Sequence, residues 1–217
     1  MSGFIKKTST SLHAGEWDSV NWNSIEPERG TYRARKILKY VPKSGIHLDI
    51  GTGNGDGTLL LSQLKETVGI EYGFKSAGNA KNKGLEIFIG DGRSLPFINN
   101  CFQSVTCLDV IEHIPSPEQV IEEISRILAN DGILIIQTPP RESFKECLLA
   151  FVRSYKIKKQ KQPYDIPLSR DAIVEILKKF HFEILEERSI RYWAKNPIVH
   201  LISISRLYYC RLNKFRR

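Results

Sequence analysis

The sequence predicts an α/β fold: a doubly wound, mostly parallel sheet with helices on both faces. Three observations carry that expectation. Strand-length apolar runs alternate with helix-length amphipathic segments from Glu28 to Thr138, the pattern of right-handed crossovers and a parallel sheet. The run Asp49-Ile50-Gly51-Thr52-Gly53-Asn54-Gly55 joins one such strand to one such helix, and a glycine turn there lets a ligand approach the main chain. Ile133-Leu134-Ile135-Ile136 is apolar at every position, as a strand covered on both faces requires.

Taken in order, residues 28–41 are expected to be helical, stopping before Pro42 and the Lys-Ser-Gly turn. Residues 46–50 form a short strand feeding the glycine loop. Residues 57–65 form a helix with Leu59, Leu60, Leu61 and Leu64 largely buried. Residues 67–71, 86–89 and 104–109 are the next three strands. The segment 117–128 sets Val120, Ile121, Ile124 and Leu128 on one helical face. Asn130-Asp131-Gly132 is a turn before the 133–136 strand. Beyond Thr138 the pattern changes. Residues 143–155 are expected to be helical, followed by the basic run Lys156-Ile157-Lys158-Lys159-Gln160-Lys161. Ser169 is placed to cap a helix reaching Phe180, with Asp171 at its positive end. Residues 182–190 form a strand, and Asn196-Pro197 would open a final basic helix.

Composition bounds the rest. The 217 residues are 41% hydrophobic and 26% charged, which fits one ordinary globular domain and excludes wholesale disorder. No apolar run approaches the roughly 18 residues of a spanning helix, and no secretory leader is expected from the first twenty residues. Cys101, Cys107, Cys147 and Cys210 are scattered, without zinc-type spacing, so a reduced, cytoplasmic setting and no structural metal are expected. The net charge of +8 is uneven: residues 1–140 carry 14 Lys+Arg against 16 Asp+Glu, and residues 141–217 carry 18 against 8. A basic final third suits phosphate, nucleic acid or an anionic membrane surface, or simply a solvated face.

In parallel sheets, ligands bind outside the carboxyl ends of the strands. The loops there hold the candidate residues. The glycine loop is spaced G-x-G-x-G, unlike the G-x-G-x-x-G that cradles a pyrophosphate. Asp49, two residues before it, would repel phosphate but could order the loop or hold an ammonium group. Glu71 ends the second strand, where a carboxylate can accept from both hydroxyls of a ribose. Asp91-Gly92 follows the third strand; Asp91 could accept from an adenine amino group, or could serve only the turn. After the fourth strand, Asp109-Val110-Ile111-Glu112-His113-Ile114-Pro115 sets three ionisable groups at the mouth of the sheet.

Together these pieces resemble the class I S-adenosylmethionine-dependent methyltransferases, in particular the methyltransferase type 11 branch. LDIGTGNG, GIEYG, IGDGRSLPF, SVTCLDVIEHIPSPEQVIEEISRIL and NDGILIIQTPP stand in the family's order over residues 28–140. The resemblance implies a Rossmann-like sheet of seven strands and S-adenosyl-L-methionine as cofactor. It implies that Asp49, Gly51, Thr52, Gly53, Asn54 and Gly55 flank the methionine part. Glu71 and Tyr72 would lie at the ribose, Asp91 and Gly92 at the adenine, and Asp109 near the transferred methyl. It divides the chain into an N-terminal lid segment at 1–27, a cofactor-binding core at 28–140, and a basic acceptor-side segment of the same domain at 141–217. Trp17, Trp22 and Tyr32 would form the lid, or simply pack. Asn130-Asp131-Gly132 replaces the common Pro-Gly-Gly, and no N-P-P-Y or D-P-P-Y follows the fourth strand, which argues against amino-methylation of DNA bases.

Three readings of Glu112-His113 stay open: His113 as a general base, a divalent metal on Asp109, Glu112 and His113, or a structural loop. The methyl acceptor is expected to be an O or N atom on a small or lipid-linked molecule, with RNA not excluded. The rival functions are an NAD-dependent oxidoreductase and a cofactor-binding protein without turnover. In the last segment, Ile198, Leu201, Ile202, Tyr208, Tyr209, Leu212 and Phe215 share one side of a helical wheel over 197–217, opposite His200, Arg206, Arg211 and Lys214. That pattern suits peripheral contact with an anionic membrane, with packing against the sheet as the alternative. The alternation Ile202-Ser203-Ile204-Ser205 keeps a closing strand in play.

Overall fold

The computed structural model describes residues 27–139, 168–191 and 204–214. Helix α1 (Pro27–Ile37) continues as a 3-10 turn over Leu38–Tyr40. Then come β1 (His47–Ile50), α2 (Asp56–Ser62), β2 (Thr67–Glu71), α3 (Phe74–Lys81), β3 (Glu86–Ile89) and β4 (Phe102–Leu108). A 3-10 turn over Ile111–His113 leads into α4 (Pro117–Ile127) and β5 (Leu128–Thr138). Helix α5 (Arg170–Lys179), β6 (Phe182–Arg191) and β7 (Ile204–Leu212) complete the described elements.

The seven strands form one sheet in the order β3-β2-β1-β4-β5-β7-β6. The first five are mutually parallel, and β7 runs antiparallel to both β5 and β6. Helices cover both faces. On one, α4 and α5 bring Val120, Ile121, Ile124, Ile173 and Leu177 onto Leu48, Ile50, Val105, Leu134 and Ile136. On the other, Ala34 and Ile37 of α1 and Leu61 of α2 pack with Ile133, Ile135 and Leu207. The predicted double winding is therefore present, and β1 is buried at all four positions.

Individual elements differ from expectation in informative ways. The 197–217 helix does not form, because residues 204–212 are the strand β7. Its register against β5 runs from Ile133↔Arg211 to Thr138↔Arg206. Inserted between two neighbours, β7 buries Leu207, Tyr208, Cys210 and Leu212 on both faces, and that two-sided burial mimics a helical stripe on paper. Segment 130–132 is part of the long strand β5, with Asp131 at φ +60°, so the expected turn is a kink within the strand. Leu64 is 63% exposed, since α2 ends at Ser62 and its face no longer applies. Helix α3 has no counterpart in the expected elements; its sequence FKSAGNAK has few apolar residues, and it buries only Ser76, Ala77 and Ala80. The Ser169 cap is as expected: its Oγ accepts from Ala172 N at 3.2 Å. All of the lid segment expected at 1–27 except Pro27 lies outside the described residues, as do the helix expected at 143–155, the basic run at 156–161 and Cys147.

Candidate functional site

The carboxyl ends of β1, β2, β3 and β4 open on the same edge of the sheet, and their loops carry the predicted residues. In the glycine loop, Gly51, Gly53 and Gly55 have φ of +74°, +55° and +84°, which side-chain-bearing residues rarely adopt. A Cβ on Gly51 would stand 2.3 Å from Val110 Cγ2, so the loop after β4 is seated directly on the loop after β1. Gly51 N donates to Ile70 O at 2.8 Å. Thr52 lies over Gly69 of β2, whose missing Cβ makes room for it. Asn54 Oδ1 accepts from Asn79 Nδ2 of α3 at 2.9 Å.

Glu71 closes this loop against β2. Its Oε2 accepts from Gly53 N at 2.8 Å and its Oε1 from Gly73 N at 3.0 Å. Burial pushes the carboxyl upward, while the bonds from Gly73 and Gly53 pull it back. Ser76 and the Tyr72 backbone add to these bonds, so the carboxylate is held rigidly at the end of β2. Tyr72 is half-buried beside it. Asp91, after β3, is pinned by Arg93, whose Nε and Nη2 donate to it at 3.1 and 2.6 Å. Gly92 is buried among Ile50, Ile114 and Val120.

Asp49 points into the body of the sheet. Thr58 and Thr106 hydroxyls each donate to it at 2.6 Å. Burial raises its pKa, opposed by those two hydroxyls and by Arg33. Of the roles open to it, ordering the loop is the one these contacts perform.

The fourth-strand loop is held by groups that sequence reading missed. Asp109, at φ +54°, accepts from Arg33 Nη1 at 2.9 Å and from Gln137 Nε2 at 3.1 Å. Arg29 stands 3.7 Å away, and Arg33 also donates to Leu108 O at 3.1 Å. Helix α1 comes close enough because it crosses α2 at Gly30 and Gly57, where a Cβ on either would lie 3.1 Å from the other's backbone. The cue in the sequence was an Arg-x-x-x-Arg pair, four apart on one helical face.

Glu112 is buried and accepts from Thr138 Oγ1 at 3.1 Å. Burial first, and then the charge of Asp109, holds it well above the usual carboxylate range. His113 Nε2 lies 3.8 Å from Glu112 Oε1, and the His113 side chain keeps 15% of its surface. Asp109, Glu112 and His113 are thus neighbours, but Asp109 is committed to Arg33 and Gln137. Among the described residues, no group of three His, Cys, Asp or Glu side chains is arranged to hold a metal ion.

Residues 48–136 match the family model of a methyltransferase domain, the type 11 class. The core of this chain belongs to the class I S-adenosylmethionine-dependent methyltransferases. S-adenosylmethionine is the cofactor of that family. An uncharacterised protein of Methanocaldococcus jannaschii is 29% identical over 150 residues, covering 68% of this chain and 68% of that one. A probable tRNA methyltransferase 9B of Mus musculus is 32% identical over 107 residues, 48% of this chain but only 24% of its own length. A demethylmenaquinone methyltransferase of Staphylococcus saprophyticus is 27% identical over 147 residues, 62% of this chain and 63% of its own. Among solved structures, a Haloferax volcanii protein in complex with the Trm112 methyltransferase activator has a TM-score of 0.72 at 18% identity, covering 94% of this chain and 97% of that one. That likeness shows the seven-stranded fold. Among the described residues, no helix of this methyltransferase is long and apolar enough to cross a membrane.

Proposed function

We propose that this methyltransferase moves a methyl group from S-adenosylmethionine to an oxygen or nitrogen atom of a small or lipid-linked acceptor. The observation that carries the cofactor placement is the bond from Gly53 N to Glu71 Oε2. It ties the glycine loop to the carboxylate at the end of β2, the acceptor that a ribose diol would meet there. In this reading Asp49, Gly51, Thr52, Asn54 and Gly55 shape the methionine side, Tyr72 flanks the ribose, and Asp91 with Gly92 borders the adenine. When bound, S-adenosylmethionine supplies an electrophilic methyl carbon on a sulfonium. The chain's own work is to align the acceptor with that carbon and exclude water, so positioning carries much of the rate. Asp109, locked by Arg33 and Gln137, fixes the backbone at the mouth of β4. In this reading His113, partly exposed beside it, takes the acceptor's proton. The lipid-linked option is supported by the relative named for demethylmenaquinone, which is matched over more of its length than the tRNA relative.

Titration calorimetry with S-adenosylmethionine and with NAD tests the cofactor; binding of NAD alone would move the chain to the oxidoreductases. Labelled methyl transfer into extract separated as lipid, small-molecule, RNA and protein pools tests the acceptor. Label is expected in the lipid or small-molecule pool, and label confined to RNA or protein would refute that assignment. His113→Ala is expected to lower kcat by about 10²-fold, leave the Kd for S-adenosylmethionine unchanged, and leave EDTA without effect.

A further inference from the structure

Beneath the glycine loop, on the face covered by α1 and α2, lies a strip of buried polar side chains that the methyl-transfer reading does not use. Lys65, just past α2, is 8% exposed, and its Nζ donates to Pro42 O at 3.0 Å and to Ser104 Oγ at 3.1 Å. Ser104 Oγ lies 2.8 Å from His47 Nδ1, and His47 Nε2 lies 3.0 Å from Thr106 Oγ1. Thr106 in turn donates to Asp49 Oδ1 at 2.6 Å. His47, Ser104 and Thr106 are fully buried. The positions alternate along two paired strands: His47 and Asp49 on β1 face the same way, opposite Ser104 and Thr106 in register.

The ends of this series fix its direction. An ammonium can only donate, and a carboxylate can only accept. Ser104 therefore accepts from Lys65 and gives its proton to His47 Nδ1. His47 carries its own proton on Nε2 and donates to Thr106, whose hydroxyl is then free to donate to Asp49. Every group is satisfied in one orientation. A protonated ring would make Ser104 accept from both Lys65 and His47 and leave its own hydroxyl proton without this partner. The 2.6 Å contacts of Asp49 with Thr106 and Thr58 fit hydroxyl-to-carboxylate bonds, and two donors on one carboxyl favour its ionised form.

We propose that Lys65, Ser104, His47 and Thr106 are positioning residues: one oriented hydrogen-bond chain that holds Asp49 ionised beneath the glycine loop, as a through-space counter-charge to a cationic methyl donor. This rests on the cofactor placement above. The other groups facing the chain are few. Arg33 on α1 acts on Asp49 in the same sense, and Cys107, on the opposite face of β4, is a neutral thiol pushed far up by burial. Lys65 faces His47. Burial pulls Lys65 down to about 8, so it is a cation through the acid and neutral range.

Two measurements test it. Long-range proton–nitrogen NMR, with the His47 signal assigned by its loss in His47→Gln, should show a neutral ring protonated on Nε2 at pH 7. A ring protonated on Nδ1, or an imidazolium, would overturn the chain. Calorimetric Kd for S-adenosylmethionine between pH 7.5 and 5.5 should be flat for the unvaried protein. Thr106→Val and Lys65→Met should bind about tenfold more weakly at pH 5.5 than at 7.5, about 1.4 kcal/mol, because Asp49 then takes up a proton. Thr106→Ser should restore the flat profile. Folded variants whose affinity falls equally at all pH values would show packing alone and overturn the proposal. If the unvaried protein fails to bind S-adenosylmethionine at all, the cofactor placement falls, and the His47 tautomer still decides the chain.

Discussion

The two acidic ends of this sheet are held in different ways. After β1 and β2, Asp49 and Glu71 receive hydroxyls and backbone N–H groups from residues within or beside their own motifs, apart from Thr106 on β4. After β4, Asp109 depends on a guanidinium from α1 and an amide from β5, 76 and 28 positions away in sequence. Glu112 next to it has one hydroxyl. The first arrangement is preorganised by short-range geometry and disfavours a side chain at Gly51, Gly53 or Gly55. The second is assembled from distant groups and leaves one buried carboxyl poorly compensated. A cofactor common to a family suits the first, and a mouth that varies with the acceptor suits the second.

The sharpest way to break the first region is Gly53→Val. A β-branched residue at φ +55° is strained, and it displaces the N–H that Glu71 receives. Affinity for S-adenosylmethionine should fall by more than about a hundredfold, ~2.7 kcal/mol, by calorimetry on folded protein. Unchanged affinity would remove the loop from the site.

Glu71→Ala comes next. It deletes a charge-assisted acceptor worth roughly 1.5–3 kcal/mol, so Kd should rise about ten- to a hundredfold. A loss below about twofold would mean that another group holds the ribose.

Acid sensitivity separates the sheet interior from the mouth. Burial and Lys65 pull His47 down to about 3 in the folded protein, from near 6.5 in the unfolded chain. Between those values the unfolded state binds a proton that the native state refuses. The stability His47 contributes is complete above about pH 6.5 and falls by about 1.4 kcal/mol per pH unit as the medium is acidified. Denaturant titrations at pH 7, 6 and 5 should show this slope flattened in His47→Gln. An identical slope in both proteins would place the acid sensitivity elsewhere.

The smallest effect belongs to the mouth. Glu112 is raised when folded, so its contribution is complete below the ordinary carboxylate range and declines as pH rises. Glu112→Gln, which removes that penalty, should stabilise the protein at pH 7–8 by about 1 kcal/mol and by less at pH 4. Destabilisation at pH 8 would mean that the ionised carboxylate is needed there.

The legibility of these regions follows the same division. Residues 47–50 and 67–71 were readable as short buried strands leading into turns rich in glycine, and 86–89, the half-buried edge strand, as an apolar run ending before Gly90. The loop residues were readable because their constraint lies within a few positions. Arg33, Gln137, Thr58 and Thr106 were not, since each matters through a partner fixed only by the fold. Strand β7 was misread for a related reason. ISRLYYCRL alternates imperfectly, and its strand state is set by pairing with β5 and β6 rather than by local preference. Helix α3 escaped notice because two buried alanines give little periodic signal.

The place of β7 also governs assembly. In space it lies between β5 and β6, yet in sequence it follows both. On a ribosome, β5 therefore emerges with an open edge, and β6 emerges with no partner in the finished arrangement. The second edge of β5, whose first edge pairs with β4, and the whole of β6 stay open until β7 has been synthesised. Strands β1, β2 and β3 pair in consecutive crossovers and can consolidate early, whereas the β5–β7 pairing must wait for a long-range insertion, the slower kind of contact to form. During that interval the open edge of β5 and the whole of β6 are exposed to mispairing with another chain.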